Sequence, residues 1–266
     1  MNRRFRLFTH NILAEVWCTP SFYPNIRDRS ELLSGELRRA RIHSTIQSSD
    51  ADIVCLQEVQ ANELCHLRSM FANLYHISEL SGNCPTTAPI DHGTIMMVKR
   101  SAMLSDVHVS NHVWSGEGSA GQIMTCQGAD STDDHLIIAH VHLSWKGYGR
   151  VGRQQAQAVT DLVETRRRRT SRIIWCGDFN ATPDRLPNLI PQMSTLHDAY
   201  RSCPTATWIS PKHKSFRLDY VLHSAGLNVN QLHFTNDIPG PDLFRRVIHK
   251  YGSDHVPLMT DFEFSK

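Results

Sequence analysis

The sequence predicts an α/β fold built from mixed β-sheets covered by helices. Short apolar or alternating segments of strand length recur from one end to the other, with helix-spaced apolar residues between several of them. The last strand candidates follow one another with little helix between, which argues against a purely parallel, doubly wound sheet.

In order, residues 5–12 alternate as a first strand. Leu33, Leu37 and Ala40 mark a helix ahead of a second strand at 52–56. Leu64, Leu67, Phe71 and Leu74 step by three and four as a helix should. Residues 94–99, 136–143 and 172–176 read as strands. A helix opening near Arg153, with Val159, Leu162, Val163 and Arg166, precedes the last of these. Residues 216–223 and 256–264 complete the strands, and 77–93 and 224–253 read as loop-rich. No repeat, linker or low-complexity tract divides the 266 residues, so a single domain over 1–266 is expected.

Composition narrows the class. With 40% hydrophobic and 20% charged residues, the chain is not collagenous, coiled-coil or disordered. Twenty-eight Lys and Arg against 26 Asp and Glu leave +2, so any contact with a polyanion must come from local clustering. Seven cysteines without a CxxC pair predict free thiols in a reducing compartment. The start, MNRRFRLFTHNIL, lacks the apolar core of a signal peptide, and no stretch approaches the ~18 apolar residues of a membrane span. A cytoplasmic or nuclear protein, monomeric by default, is expected.

Acids, amides and histidines gather where the strands end. The second strand runs into Gln57 and Glu58, and 172–176 runs into Gly177, Asp178, Phe179 and Asn180. Ser253, Asp254 and His255 precede the last strand, and Asn11 lies near the end of the first. Period two turns Asp178 with Asn180, His140 with His142, and Arg217 with Asp219 to common faces. Asp219, between Leu218 and Tyr220, needs a partner in an apolar strand. Taken singly, each residue has a structural reading: Glu58 as a first-turn helix acid, Asp178 as a turn former, Asn11 as a loop anchor, Asp254 and His255 as a surface pair, His140 and His142 as core histidines. Together they make an oxygen-rich set that suits Mg²⁺, with Mn²⁺ as a substitute; zinc would want more than His140-x-His142. The chain has no GxxxxGK[ST], no GxGxxG after a strand and no GxSxG elbow, which excludes the common ATPase, dehydrogenase and serine-hydrolase readings.

The strings FTHNIL, DIVCLQEV, HGTIMMVKR, IIAHVHLSW, IIWCGDFNATPD, FRLDYVLHS and GSDHVPL, in this order, resemble the endonuclease/exonuclease/phosphatase superfamily of deoxyribonuclease I-like, metal-dependent phosphoesterases. They span residues 8–258. The resemblance implies a four-layer α/β/β/α sandwich and hydrolysis of a phosphate ester by an activated water. It further implies that Glu58 is the principal Mg²⁺ ligand, with Asn11 and Asp254 lining the metal region. Asp178 would orient and deprotonate the water, and Asn180 would hold a phosphate oxygen. His255 would stabilise the phosphoryl charge with its ring fixed by Asp219, and His142 would donate to the phosphate. Where many relatives read NTHL the chain has His140-Val141-His142-Leu143, and after Asn11 it reads Ile12-Leu13, without the acid that apurinic endonucleases carry there.

The N-terminal third, NILAEVWC and SFYPNIRDRSELL before ADIVCLQEV, is most similar to the deadenylase, nocturnin-like and Angel-like branch. That likeness implies a nuclease on single-stranded RNA or DNA, acting from the 3′ end. A phosphoesterase of a small phosphorylated molecule, nucleotide or lipid headgroup is the alternative enzyme. An inactive binding module is the alternative class, opposed by the intact set of acids, amide and histidines. The four arginines at 166–169 read as a solvated helix end. Substrate contacts are expected instead from aromatics and cations near the motifs: Trp145, Lys146 and Arg153 after His142, and Trp208 and Arg217 before Asp219.

Overall fold

The computed structural model describes residues 4–82, 92–114, 120–128, 131–145, 150–190, 195–202, 206–212, 214–233 and 242–265. The chain enters as β1 (Arg4–Asn11), passes through helices α1 (Arg29–Leu32) and α2 (Gly35–Ser49), and returns as β2 (Ile53–Gln60). Helix α3 (Ala61–Phe71) leads to β3 (Tyr75–Ile77), β4 (Ser81–Gly82) and β5 (His92–Lys99). Then come β6 (Leu104–Val113), β7 (Ala120–Gly128) and β8 (Ser131–His142), with α4 (Arg150–Arg166) crossing to β9 (Arg172–Asp178). After α5 (Leu186–Leu189) follow β10 (Leu196–Asp198), the ribbon β11 (Trp208–Ile209) and β12 (Ser215–Phe216), and β13 (Asp219–Ser224). Strand β14 (Leu227–His233), helix α6 (Leu243–Tyr251) and β15 (Leu258–Phe264) close the chain.

Two mixed sheets result, ordered β14-β15-β1-β2-β5-β3, with β4 also on β5, and β10-β13-β9-β8-β7-β6. Each is built around one parallel pair, β1/β2 or β8/β9, whose strands are joined by helical crossovers; the remaining pairs are antiparallel. Period-two alternation makes the layers. Phe5, Leu7, Ile53 and Cys55 face Ile138, Ile174, Cys176 and Val221 across the inter-sheet core. Phe8, Val54 and Leu56 pack outward with Ile42, Ile46, Leu64 and Leu67 of α2 and α3. Ile137, Ala139 and Val141 pack outward with Val159 and Val163 of α4. The architecture is therefore helix, sheet, sheet, helix, as expected. No helix among the described residues is long and apolar enough to cross a membrane. The described cysteines (Cys18, Cys55, Cys65, Cys126 and Cys176) are free thiols.

Toward the C-terminal ends of both parallel pairs, the inter-sheet layer turns polar. Leu7 gives way to Thr9 and Asn11, Cys55 to Gln57, Ile138 to His140 and His142, and Cys176 to Asp178, all buried. Gln57 bonds Thr9 Oγ1 at 3.0 Å and the His140 ring at 2.5 Å, forming a polar floor. Burial, helped by the charge of His142, pushes the His140 pKa down to about 3, and burial pushes His10 down to about 4. Both stay neutral in the folded state while unfolded histidine takes up a proton near pH ~6.5. Stability should therefore fall as the pH drops below ~6.5, by about 1.4 kcal/mol per pH unit for each ring. Urea unfolding between about pH 7 and about pH 5 checks this: the slope should flatten by about 1.4 kcal/mol per unit in His140→Gln, and an unchanged slope would count against it.

Several elements differ from the sequence expectation. Helix α2 buries Arg38, Ile42 and Ile46 and leaves Leu37 exposed, because Arg38, rather than an apolar residue, marks its inner face. Residues 224–253 hold β14 and α6, whose Phe244, Val247, Ile248 and Tyr251 form an apolar stripe. Strands β6 and β7 went unseen because β6 is a largely exposed polar edge and β7 carries few β-branched residues. Residues 216–223 are two strands, broken at Arg217 and Leu218.

Candidate active site

The first sheet supplies an acid through a bulge. In a regular strand Gln57 and Glu58 would point to opposite faces. The register between β2 and β5 shifts between Leu56 and Val59, and Glu58 takes φ 60°, which re-aims its side chain. Glu58 Oε1 accepts from Asn11 Nδ2 at 2.9 Å and Oε2 from the Ala14 N–H at 2.8 Å. Asn11 Nδ2 also reaches Asp178 Oδ2 at 3.0 Å, while Asn11 Oδ1 takes the Leu13 N–H. Asn11 thus lines the cluster as a donor between two acids.

The second sheet supplies the rest. Gly177 has φ 125°, and a Cβ there would come within 2.0 Å of the Val141 carbonyl, so only glycine lets β9 approach β8 this closely. The register sets His142 opposite Asp178, and Asp178 opposite Asp219 on β13. Strand β9 ends at Asp178, so Asn180 does not continue its alternation. It turns left-handed at φ 48°, its N–H donates to Asp178 Oδ1 at 2.8 Å, and its Nδ2 donates to Leu143 O at 2.8 Å. His255 Nδ1 meets Asp219 Oδ2 at 2.8 Å, which aims Nε2 at Asp178 Oδ2, 3.8 Å away. His142 Nε2 lies 3.8 Å from Asp178 and 3.9 Å from Glu58. These separations exceed hydrogen-bond length, so each ring keeps its Nε2 for another partner.

Asp254 Oδ2 accepts from Trp208 Nε1 at 2.9 Å and Tyr23 OH at 3.1 Å. Its Oδ1 is buried and has no hydrogen-bond partner among the described residues. Trp208, expected at the substrate, therefore braces an acid, and it stacks on Phe216 with ring centroids 5.9 Å apart. Arg217, also expected at the substrate, is likewise engaged within the protein. The strand break turns it into the fold, where it bonds Asp198 at 2.6 Å and lies over the Tyr220 ring. Trp145 is 67% exposed just after β8, and Arg153 is exposed on the first turn of α4. Lys146 lies outside the described residues. Of the arginines at 166–169, Arg166 caps its own helix through the Leu162 carbonyl.

Sequence reasoning missed Arg38. Buried, it bonds the Ile12, Leu13 and Gly252 carbonyls, tying the turn after Asn11 to the turn before Asp254. The only sequence signal was an arginine at a helix position whose neighbours at four-residue spacing, Ile42 and Ile46, are apolar. Ser253 locks the same turn: its hydroxyl donates to Asn11 O at 2.6 Å and takes the His255 N–H at 3.1 Å.

Electrostatics separates the groups. Burial raises the Asp178 pKa, and the Asp219 carboxylate adds to it against His255, bringing it to about 7. Burial alone would lower His255, but Asp219, Asp178 and Asp254 more than reverse this, to about 10. Glu58 goes the other way: burial opposes its charge, yet the His142 field and the Asn11 and Ala14 donors hold its pKa below the usual value. Burial raises Asp254. Ionised Glu58 and the unpartnered Asp254 Oδ1 are hard oxygen donors, and no thiolate joins them among the described residues, so the residues fit Mg²⁺ or Mn²⁺. Asp178, Asp219 and His255 also present donor atoms within 4.8 Å of one another. His255 Nδ1 is already engaged by Asp219, so this trio is better described as an oriented imidazolium beside a base.

The family model for the Endonuclease/Exonuclease/phosphatase family matches residues 8–255. The chain belongs to this family. Its members are metal-dependent phosphodiesterases and phosphatases, and the chain is an enzyme of that class. No curated protein sequence matches it. Among solved structures, it is similar to the human nocturnin catalytic domain with bound sulfate anion (21% identity, TM-score 0.71, covering 100% of this chain and 96% of that one). It is also similar to ANGEL2, a 2′,3′-cyclic phosphatase (17%, 0.76, 98% and 95%), and to D. rerio TDP2 complexed with single strand DNA product (14%, 0.68, 97% and 98%). At these identities the likeness speaks for the family fold, which agrees with the two helix-flanked sheets.

Proposed function

We propose that this family member is a Mg²⁺-dependent phosphodiesterase that trims single-stranded RNA or DNA from the 3′ end by in-line attack of an activated water. The observation that carries the reading is Asp178, held through both oxygens by Asn180 and Asn11, with the Nε2 atoms of His142 and His255 each 3.8 Å from it. A base with a pKa near neutrality faces two imidazoles whose outer nitrogens can each meet a phosphate oxygen. Both sheets contribute, so residues 1–266 act as one catalytic domain.

Asp178 Oδ2 takes the proton of the attacking water, and the Asn180 N–H keeps that carboxylate aimed. His255, cationic through neutral pH and oriented by Asp219, donates to a phosphoryl oxygen as charge builds there. His142 donates to a second oxygen, and the Asn180 amide lies at the same mouth. Glu58 and Asp254 hold the divalent cation, with Asn11 fixing the Glu58 carboxylate; bound Mg²⁺ supplies Lewis-acid charge to the phosphate. Nocturnin with its sulfate and TDP2 with its DNA product support an anionic nucleic-acid ligand. ANGEL2, a 2′,3′-cyclic phosphatase, favours a second reading, a small phosphoester.

Incubating 5′-labelled single-stranded RNA and DNA with the protein should give 3′ shortening with Mg²⁺ and none with EDTA. Inert polymers alongside Mg²⁺-dependent opening of a 2′,3′-cyclic mononucleotide would favour the second reading. Binding of either without turnover would point to an inactive module.

A further inference from the structure

Residues 14–23 link the two acids assigned to the cation. At one end the Ala14 N–H donates to Glu58 at 2.8 Å; at the other, Tyr23 OH donates to Asp254 at 3.1 Å. Between them the 3₁₀ turn Glu15–Trp17 is pinned twice more. The Val16 N–H donates to Gln60 Oε1 at 3.0 Å, and Trp17 Nε1–H donates to His92 Nε2 at 3.0 Å. Gln60 and His92 are themselves register partners on β2 and β5. The indole is therefore fixed to β5, the strand paired with the one that carries Glu58. Phe22 packs against it edge to face, ring centroids 5.0 Å apart, while remaining 56% exposed.

An exposed phenylalanine alone needs no explanation. This one adjoins Tyr23, which holds Asp254, and leans on an indole tied to His92, whose ring lies near enough to Glu58 to act on its carboxylate, so the aromatic pair lies on the segment that joins the two acids assigned to the cation. Rigid aromatic rings next to a phosphate-binding centre suit the flat face of a nucleobase, and stacking of this kind tolerates any base. We propose that Trp17 and Phe22 form a stacking subsite for the nucleobase adjoining the scissile phosphate. The subsite rests on the nuclease reading and adds to it a contact with the base.

The test uses single-stranded oligonucleotides carrying one abasic residue on either side of the scissile bond. In the wild type, one of the two placements should lower kcat/KM by about tenfold relative to the intact strand. Phe22→Ala should bring that ratio toward one, and Phe22→Tyr should keep it. Trp17→Ala, checked for folding by its melting curve, should act as Phe22→Ala does. The subsite is overturned if the wild type cuts intact and abasic strands equally at both placements, or if Phe22→Ala and Trp17→Ala keep the wild-type ratio. If the wild type cuts no strand at all, the nuclease reading falls and the subsite falls with it.

Discussion

Asp178→Asn is expected to lower kcat by about 10³-fold, the range for loss of a positioned general base. The substitution keeps the size of the side chain and an oxygen for the Asn180 N–H, now 2.8 Å away. It removes the only property the proposed chemistry needs there, an acceptor basic enough to take a proton. Folding should not suffer. The Asp178 pKa is raised to about 7 in the folded protein, above the ordinary aspartate value. Between those two pH values the unfolded chain has lost a proton that the folded chain keeps, so stability declines as the pH rises and the full penalty is present above ~7. Asparagine escapes it, and its melting temperature near pH ~8 should equal or exceed that of the wild type. Single-turnover kinetics beside melting curves separate the two effects. Turnover close to wild type in a well-folded Asp178→Asn protein would remove Asp178 from the mechanism.

Much of this site was legible because its residues interrupt apolar strands. Asn11, His142, Asp178 and Asp219 share the parity of Leu7, Ile138, Cys176 and Val221 on the inter-sheet face, whereas Asn180, expected to share a face with Asp178, leaves the strand. Glu58 was visible as an acid beside Gln57, but its direction was not, since a bulge with positive φ reverses what alternation predicts. Arg217 failed for the opposite reason: alternation was assumed through a break, and the guanidinium turned to Asp198. Trp208 carried an aromatic signal that fits a base, yet its N–H was needed by Asp254. Long-range partners of this kind have no local pattern. Helix α6 did have one, the three- and four-residue steps from Phe244 to Tyr251, hidden among charged residues. The layered fold was easier to read, because apolar periodicity survives where single side-chain directions do not.

Glu58→Gln is expected to abolish the response to Mg²⁺ altogether. Three buried acids, Asp178, Asp219 and Asp254, and the part-buried Glu58 crowd one mouth, and the charged ring facing them is His255, with Arg38 tied to carbonyls behind. The Glu58 pKa lies below its ordinary value, so it carries full charge when a cation arrives. Glutamine can keep the Ala14 N–H bond but offers no charge, and its own amide then faces Asn11 Nδ2 in place of Oε1. A ligand that binds only the folded state stabilises it by about 2.7 kcal/mol at one hundred times its Kd. Wild-type protein should accordingly melt higher in Mg²⁺ than in EDTA, and Glu58→Gln should melt at the same temperature in both, with kcat/KM down about 10³-fold. Asp178→Asn, by contrast, should keep the Mg²⁺ shift while losing turnover. If Glu58→Gln still gains stability from Mg²⁺, the cation is held elsewhere, and the division between the acids that bind metal and the one that activates water fails.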